Sequence, residues 1–371
     1  MKLKSLLAAG GIGAVSICSS AFAQSSVTLY GLISTGLAYS TNQSGSHTYQ
    51  TANGTYQGPR WGLRGTEDLG GGTSAIFTLE NGFSILNGNS LNQGREFGRQ
   101  SFVGLSNTNW GTLTLGRQYD SVVDFLGLNT AYNWNGTIND NDNTFNNIRV
   151  QNALKYTTQT FKGFKASALY GFSNSATGFN NNRAFSLGAS YTQGPLNWNV
   201  AYAEYDSPYS ATNQTGAIDS DYSAAYLTFN RSALKAHAYA SKQRIFGTGG
   251  VYSIGALKLG ALYTDVNYTY LDAQHLNVQN FSLSANYFLR PDILLGAAYV
   301  YTVGQYTITD QKPKWNEVNL VADYILSKRT DIALMVYLQQ AGGGARADIE
   351  GYYASTTNRQ LVTTLGIRHT F

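Results

Sequence analysis

Cysteine is almost missing from this chain: of 371 residues only Cys18 carries a thiol, and it lies in an amino-terminal stretch that reads as a leader. No disulfide can form beyond that leader, and no thiolate is on hand for catalysis. Charged residues make up only 12% and prolines number 5. Past the leader there is no run of about 18 apolar residues, which excludes a helical membrane protein. The four histidines, His47, His237, His275 and His369, show no metal-ligand spacing. The glycine triplets at 70–72 and 342–344 read as turns, since no helix follows them to make a phosphate cradle. A hydrolase would have to assemble its site from distant loops, and no residue pattern favours one. Neither a cofactor nor a metal is expected.

The leader, MKLKSLLAAGGIGAVSICSSAFA, has two lysines, a glycine-broken apolar run and Ala21-Phe22-Ala23 ahead of Gln24. That is the layout of a cleaved secretory signal over 1–23, with one domain over 24–371. Cleavage removes two of the 25 basic residues and leaves 23 against 21 acidic ones. So nearly neutral a chain gives no reason to expect a nucleic-acid partner.

What is abundant is glycine (40), tyrosine (27) and phenylalanine (17), a composition that favours strands and turns. Sixteen segments alternate in side-chain polarity, from SVTLYGLISTGLAY to LVTTLGIRHTF. YSAAYLTFNRSALKAHAYA between 220 and 240 is read as loop. Short connections (DLGGG, SNTNW, TQGP, RPD, SKRTD) take turns with long ones at 41–57, 85–94, 120–148, 173–183, 207–240 and 342–358. A β-sandwich or solenoid gives no reason for that regularity, whereas a membrane barrel has short turns at one rim and long loops at the other.

The faces fit such a wall. In the first strand Val27, Leu29, Ile33, Leu37 and Tyr39 share the side toward lipid, and Thr28, Tyr30, Leu32, Ser34 and Ala38 the side toward the lumen. In the last, Leu365 and Ile367 face lipid and Arg368 faces inward. A closed sheet of this kind leaves no edge unsatisfied in the bilayer.

Cations collect on the lumen side. Arg60 and Arg64 oppose Trp61 and Leu63; Arg95 and Arg99 share one face; Arg149 and Lys155 oppose Val150, Leu154 and Tyr156. A charge facing mid-bilayer lipid costs roughly 2–4 kcal/mol, so inward is favoured. Arg117 is in phase with Leu113 and Leu115, which places it outward or at the rim and outside the pore set. The asparagine-rich stretch 120–147 carries Asp120, Asp124, Asp140 and Asp142. It is an exposed loop, a weak calcium-like clip whose DND lacks a full ligand loop, or an inward loop opposing the arginines.

QSSVTLYG, RWGLRGTEDLGGGTSAIFTLENGF, FGRQSFVGLSNTNWGTLTLGRQYDSVVDFLG, LSKRTD and GIRHTF together resemble the general porins of Gram-negative outer membranes, most closely their beta-proteobacterial branch. The resemblance implies an all-β, 16-stranded antiparallel transmembrane barrel with one loop folded into the lumen. It also implies a homotrimer in outer-membrane lipid and passive diffusion of small hydrophilic solutes. Carried over by position, the basic wall is Arg60, Arg64, Arg99 and Arg149, with Arg95 and Lys155 beside it. The inward loop is 120–148, with Asp124, Asp140 and Asp142 as its candidate acids. The Pro-Glu-Phe-Gly-Gly tip of the enterobacterial pattern is absent, and AYNWNGTINDND stands there instead. Phe371 is then the terminal aromatic read by the outer-membrane assembly machinery. A positive wall with few opposing acids leads to an expected weak anion preference. The other functional expectation is a channel selective for sugars or organic acids.

Overall fold

The computed structural model describes residues 25–127, 136–176, 178–224, 227–235 and 237–371. The expected signal segment 1–23 lies outside them, as does the tip of the 120–148 loop. The strands are β1 (Ser26–Gln43), β2 (Ser46–Asn53), β3 (Arg60–Gly70), β4 (Thr73–Gly82), β5 (Gln100–Asn107), β6 (Gly111–Gln118), β7 (Val150–Thr157), β8 (Phe164–Gly171) and β9 (Arg183–Gln193). They continue as β10 (Leu196–Asp206), β11 (Ala240–Ile254), β12 (Leu257–Tyr270), β13 (His275–Arg290), β14 (Ile293–Tyr306), β15 (Lys314–Ser327), β16 (Thr330–Gly342) and β17 (Arg359–Thr370). Among the described residues no helix is long and apolar enough to cross a membrane.

Every neighbouring pair is antiparallel, and β17 returns to β1 from Leu32↔Thr370 to Ser40↔Val362, which closes the barrel. The wall has sixteen staves although there are seventeen strands among the described residues. One edge of β1 pairs with β3 along Ser26–Leu32 and with β2 along Thr35–Gln43. Thus β2 and β3 lie end to end in one broken stave, and much of the 41–57 stretch expected as loop is hairpin. Closure runs to the last residue: Gly31 and Phe371 exchange backbone hydrogen bonds, both 3.0 Å. The Phe371 ring lies over Gly31, where a Cβ would come within 2.6 Å of it.

Alternation sets the two faces. Val27 and Leu37 are each 65% exposed on the outside, while Leu32, Ser34 and Ala38 are buried inside. The outer face carries a belt of exposed apolar side chains, among them Leu283, Leu295, Leu320, Leu338 and Leu365. The turn between β3 and β4 uses Gly70, Gly71 and Gly72, all at positive φ, a conformation that side chains with a Cβ avoid.

The lumen is not evenly open. Helix α1 (Ser121–Leu126) follows β6 into the barrel, capped by the Asp120 carboxylate accepting from the Val123 N–H at 3.0 Å. Its Phe125 lies over Gly188 of β9 and its Leu126 over Gly247 of β11, where a Cβ would come within 2.4 and 2.5 Å of those side chains. The missing side chains on these two strands make room for the helix. Val122, Phe125 and Leu126 then join Ile138, Ile148, Ile218, Tyr222 and Phe229 in an apolar core against the inner wall. The described parts of two long loops, 120–148 and 207–239, therefore fold inward. On the other side, Ile349 of the last loop packs on Val321, Met335 and Tyr337.

Candidate channel constriction

Arg60, Arg99 and Arg149 stand at strand starts, whereas Arg64 and Lys155 lie within β3 and β7. Arg64 on β3 is exposed, its guanidinium 5.3 Å from the ring centre of Tyr30 on β1. Arg60, at the start of β3, lies within electrostatic reach of Arg99 and Glu80. Arg149, just ahead of β7, is buried and is held through its Nη1 on the Asn147 carbonyl at 3.1 Å. Arg60, Arg64 and Arg149 have no ion-pair partner among the described residues.

The remaining cations are matched. Arg99 donates through Nε to Glu80 at 2.7 Å and through Nη2 to the Tyr119 hydroxyl at 2.9 Å. Glu80 also accepts from Tyr30 (2.9 Å) and Tyr119 (3.0 Å). Sequence reasoning passed over this carboxylate, although it shares the lumen-facing parity of Thr78 on β4 and was legible there. Lys155 on β7 pairs with Asp124 of α1 and donates to the Tyr119 carbonyl at 3.0 Å. Arg95 meets Asp219 (3.2 Å) and Asp221 (3.1 Å) from the 207–239 loop.

Arg117 departs from its expected outward or rim position. It is buried, donating from Nε to the Gly98 carbonyl (2.7 Å), with Nη1 on Asp219 (2.5 Å) and Nη2 on Asp221 (2.6 Å). The backbone breaks phase here, with Gly116 at φ 135° and a register shift between Gly116 and Gln118. A bulge of this kind re-aims the following side chain. The same irregularity, with Asn152 at φ 52°, puts Val150 on the inside together with Ala153, not on the outside with Leu154 and Tyr156. Asp219 and Asp221 had no periodic signal in the sequence.

The inward loop uses its own acids. Asp120 caps α1 and accepts from Asn143 (2.8 Å) and the Tyr205 hydroxyl (2.5 Å). Asp140 accepts from the backbone N–H of Phe145 (2.7 Å) and Asn147 (2.9 Å). Asp142 accepts from Thr137 and Thr144 and, across the lumen, from Thr264 of β12 at 2.7 Å. Asn141 meets Asn280 of β13. These three carboxylates shape the loop and tie it to the wall opposite its origin; Asp124 alone among the four pairs with a cation of the basic set. The loop also meets the last one, since Asn147 donates to Glu350 at 3.0 Å. Burial pushes the Glu350 carboxyl up to about 8 and Asp348 up to about 7. Phe371 stands apart at the barrel seam.

A water-filled barrel with charged inner positions conducts ions and small polar solutes, and its wall charge sets which sign passes more readily. Comparison with known proteins agrees. The family model described as "Gram-negative porin" matches residues 7–343. An outer membrane porin protein of Bordetella pertussis is 33% identical over 289 residues, covering 70% of this chain and 68% of the relative. Outer membrane porin protein 32 of Delftia acidovorans is 28% identical over 99% of each chain. An anion-selective porin from Comamonas acidovorans shares the fold with a TM-score of 0.77 at 23% identity, over 94% of this chain and 100% of that one. The chain belongs to the Gram-negative porin family, and it is a β-barrel channel of the outer membrane.

Proposed function

We propose that this porin passes small hydrophilic solutes and ions passively with a weak preference for anions, as one protomer of a homotrimer. The carrying observation is the imbalance of pairing: Arg60, Arg64 and Arg149 lack carboxylate partners among the described residues, while Asp120, Asp140 and Asp142 are committed within the inward loop. The guanidiniums of Arg60 and Arg64 in channel water, together with the uncompensated charge of the buried Arg149, attract anions and repel cations, by an amount that salt screens beyond about 10 Å at 0.1 M. The uncompensated pore cations on this reading are Arg60, Arg64 and Arg149, whereas Arg99, Arg95 and Lys155 are neutralised by Glu80, by Asp219 with Asp221, and by Asp124. The anion selectivity of the structurally similar Comamonas porin supports the same sign.

Reversal potentials of reconstituted channels in a salt gradient test it. Anion preference should fall in Arg60→Ala and in Arg149→Ala. Clear cation preference in the parent, or unchanged selectivity in both variants, would sink the proposal. Phe371 serves as the assembly signal on this reading, supported by its backbone hydrogen bonds with Gly31 just past the end of β17.

A further inference from the structure

The outer face of β9–β11 carries charge where a lipid-facing wall is ordinarily apolar. Leu187, Trp198, Val200 and Phe246 are exposed on that face. In phase with them, toward the long-loop end, stand Arg183 on β9, Glu204 and Asp206 on β10, and Lys242 and Arg244 on β11. The register sets them in cross-strand rows: Glu204 opposite Arg244, and Asp206 opposite both Lys242 and Arg183. Arg183 Nε reaches Asp206 at 2.7 Å, Lys242 reaches Asp206 (2.7 Å) and Glu204 (2.9 Å), and Arg244 Nε reaches Glu204 at 2.9 Å. Three cations face two carboxylates. The next outward acid, Asp265 on β12, brings the outer face to three cations and three acids, but it is hydrogen-bonded by the amides of Asn267, Asn277 and Gln279 and pairs with no cation among the described residues.

The unused donors of the cluster are presented outward. Only the Nε of Arg244 is engaged among the described residues, and its side chain is 53% exposed, so both terminal nitrogens point to the surroundings. Directly below lies an apolar groove of about 410 Å³, lined by Ala168, Ala189, Leu187, Val200, Tyr202 and Phe246. Alanines leave the space, and larger side chains stand around it. Tyr202 joins the two levels: its ring borders the groove and its hydroxyl donates to Glu204 at 2.9 Å.

A charge on the lipid side of a barrel costs roughly 2–4 kcal/mol at the midplane and little at the interface, which sets this cluster at headgroup level. It lies at the end of β10 that leads into the long 207–239 loop, the rim that faces the cell exterior in an outer-membrane barrel. We propose that this is a lipid site for a phosphate-bearing acyl glycolipid of the outer leaflet, with a phosphate on Arg244 and Lys242 and one acyl chain in the groove. The guanidinium offers a planar pair of donors to phosphate oxygens, and the groove takes the chain out of competition with bulk lipid.

The test uses the purified native oligomer in detergent, titrated with lipid A and with dephosphorylated lipid A, with bound lipid read by native mass spectrometry. The parent should bind lipid A more tightly than the dephosphorylated form. Arg244→Ala should weaken lipid A binding by about tenfold or more, the scale of losing a charge-assisted hydrogen bond, and close the gap between the two lipids. Ala168→Trp, which fills the groove, should weaken both. Single-channel conductance should stay at the parental value in both variants, because the site is outside the lumen. Equal binding of the two lipids by the parent, or unaltered binding by both variants, overturns the proposal. If Arg244→Ala dissociates the oligomer while lipid A binding persists, the face is a subunit contact and the lipid site is refuted.

Discussion

Replacing Asp219 and Asp221 together by asparagine should unfasten the 207–239 loop from the barrel wall. The two carboxylates hold Arg117, whose side chain is 8% exposed, and Arg95, which is 30% exposed. Leaving a buried guanidinium without its partners costs about 3–5 kcal/mol. Arg95, closer to solvent, adds no more than about 1 kcal/mol. At about 1.4 kcal/mol per decade, the lower bound still raises the population of the detached loop by about a hundredfold. Hydrogen exchange of residues 215–224 would report it as lost protection, since local opening governs exchange there. The detached variant should also show noisier single-channel current and a higher anion permeability, because two guanidiniums have lost their countercharge. Adding Arg117→Met to the double variant removes the stranded charge and should recover most of the protection, as apolar replacement of a buried ion pair is often neutral. Unchanged exchange in the double variant, or a triple variant as labile as the double, would refute the latch.

Gly247→Leu and Gly188→Leu should each push α1 off the wall, because a Cβ at these sites already collides with Leu126 or Phe125. Overpacking of this kind costs about 1–3 kcal/mol, and single-channel conductance should change while the barrel stays folded; parental conductance in both would contradict the packing. The contact between the inward loop and the last loop should weaken with pH. Glu350 is raised to about 8 and Asp348 to about 7, so the folded state holds their protons; its extra stability is complete below the ordinary carboxylate range and is lost as pH rises through about 8. Current noise should therefore grow between pH 5 and 8 in the parent and grow less in Glu350→Gln; an identical pH response in the variant would exclude Glu350 as the source. Deleting Phe371 removes two backbone hydrogen bonds at the seam and the ring over Gly31. The yield of folded barrel in outer membranes should fall, whereas a parental yield would mean that the last residue is dispensable for assembly.

By itself the amino-acid sequence determined the wall of this protein. Alternation is a local property of a chain, so sixteen staves, their inner and outer faces and the union of the last strand with the first were legible without coordinates. The contrast between TQGP and the long stretch 207–240 likewise separated the two rims, and the inward parity of Arg60, Arg64 and Lys155 followed from their neighbours.

Only the tertiary structure decided which charges remain free in the lumen. Arg117 turns inward because Gly116 and the adjoining bulge break the phase on which a parity argument depends. Its partners, Asp219 and Asp221, come from an aperiodic loop about a hundred residues away, which no spacing could pair with it. Asp120, Asp140 and Asp142 look like pore acids in a linear reading, yet each is consumed by a cap or turn whose backbone N–H groups need an acceptor once water is excluded. Strand faces follow from bonding between neighbours along the chain. The lumen's charge depends on where long loops settle when their apolar side chains meet Gly188 and Gly247, and that is a property of the closed barrel.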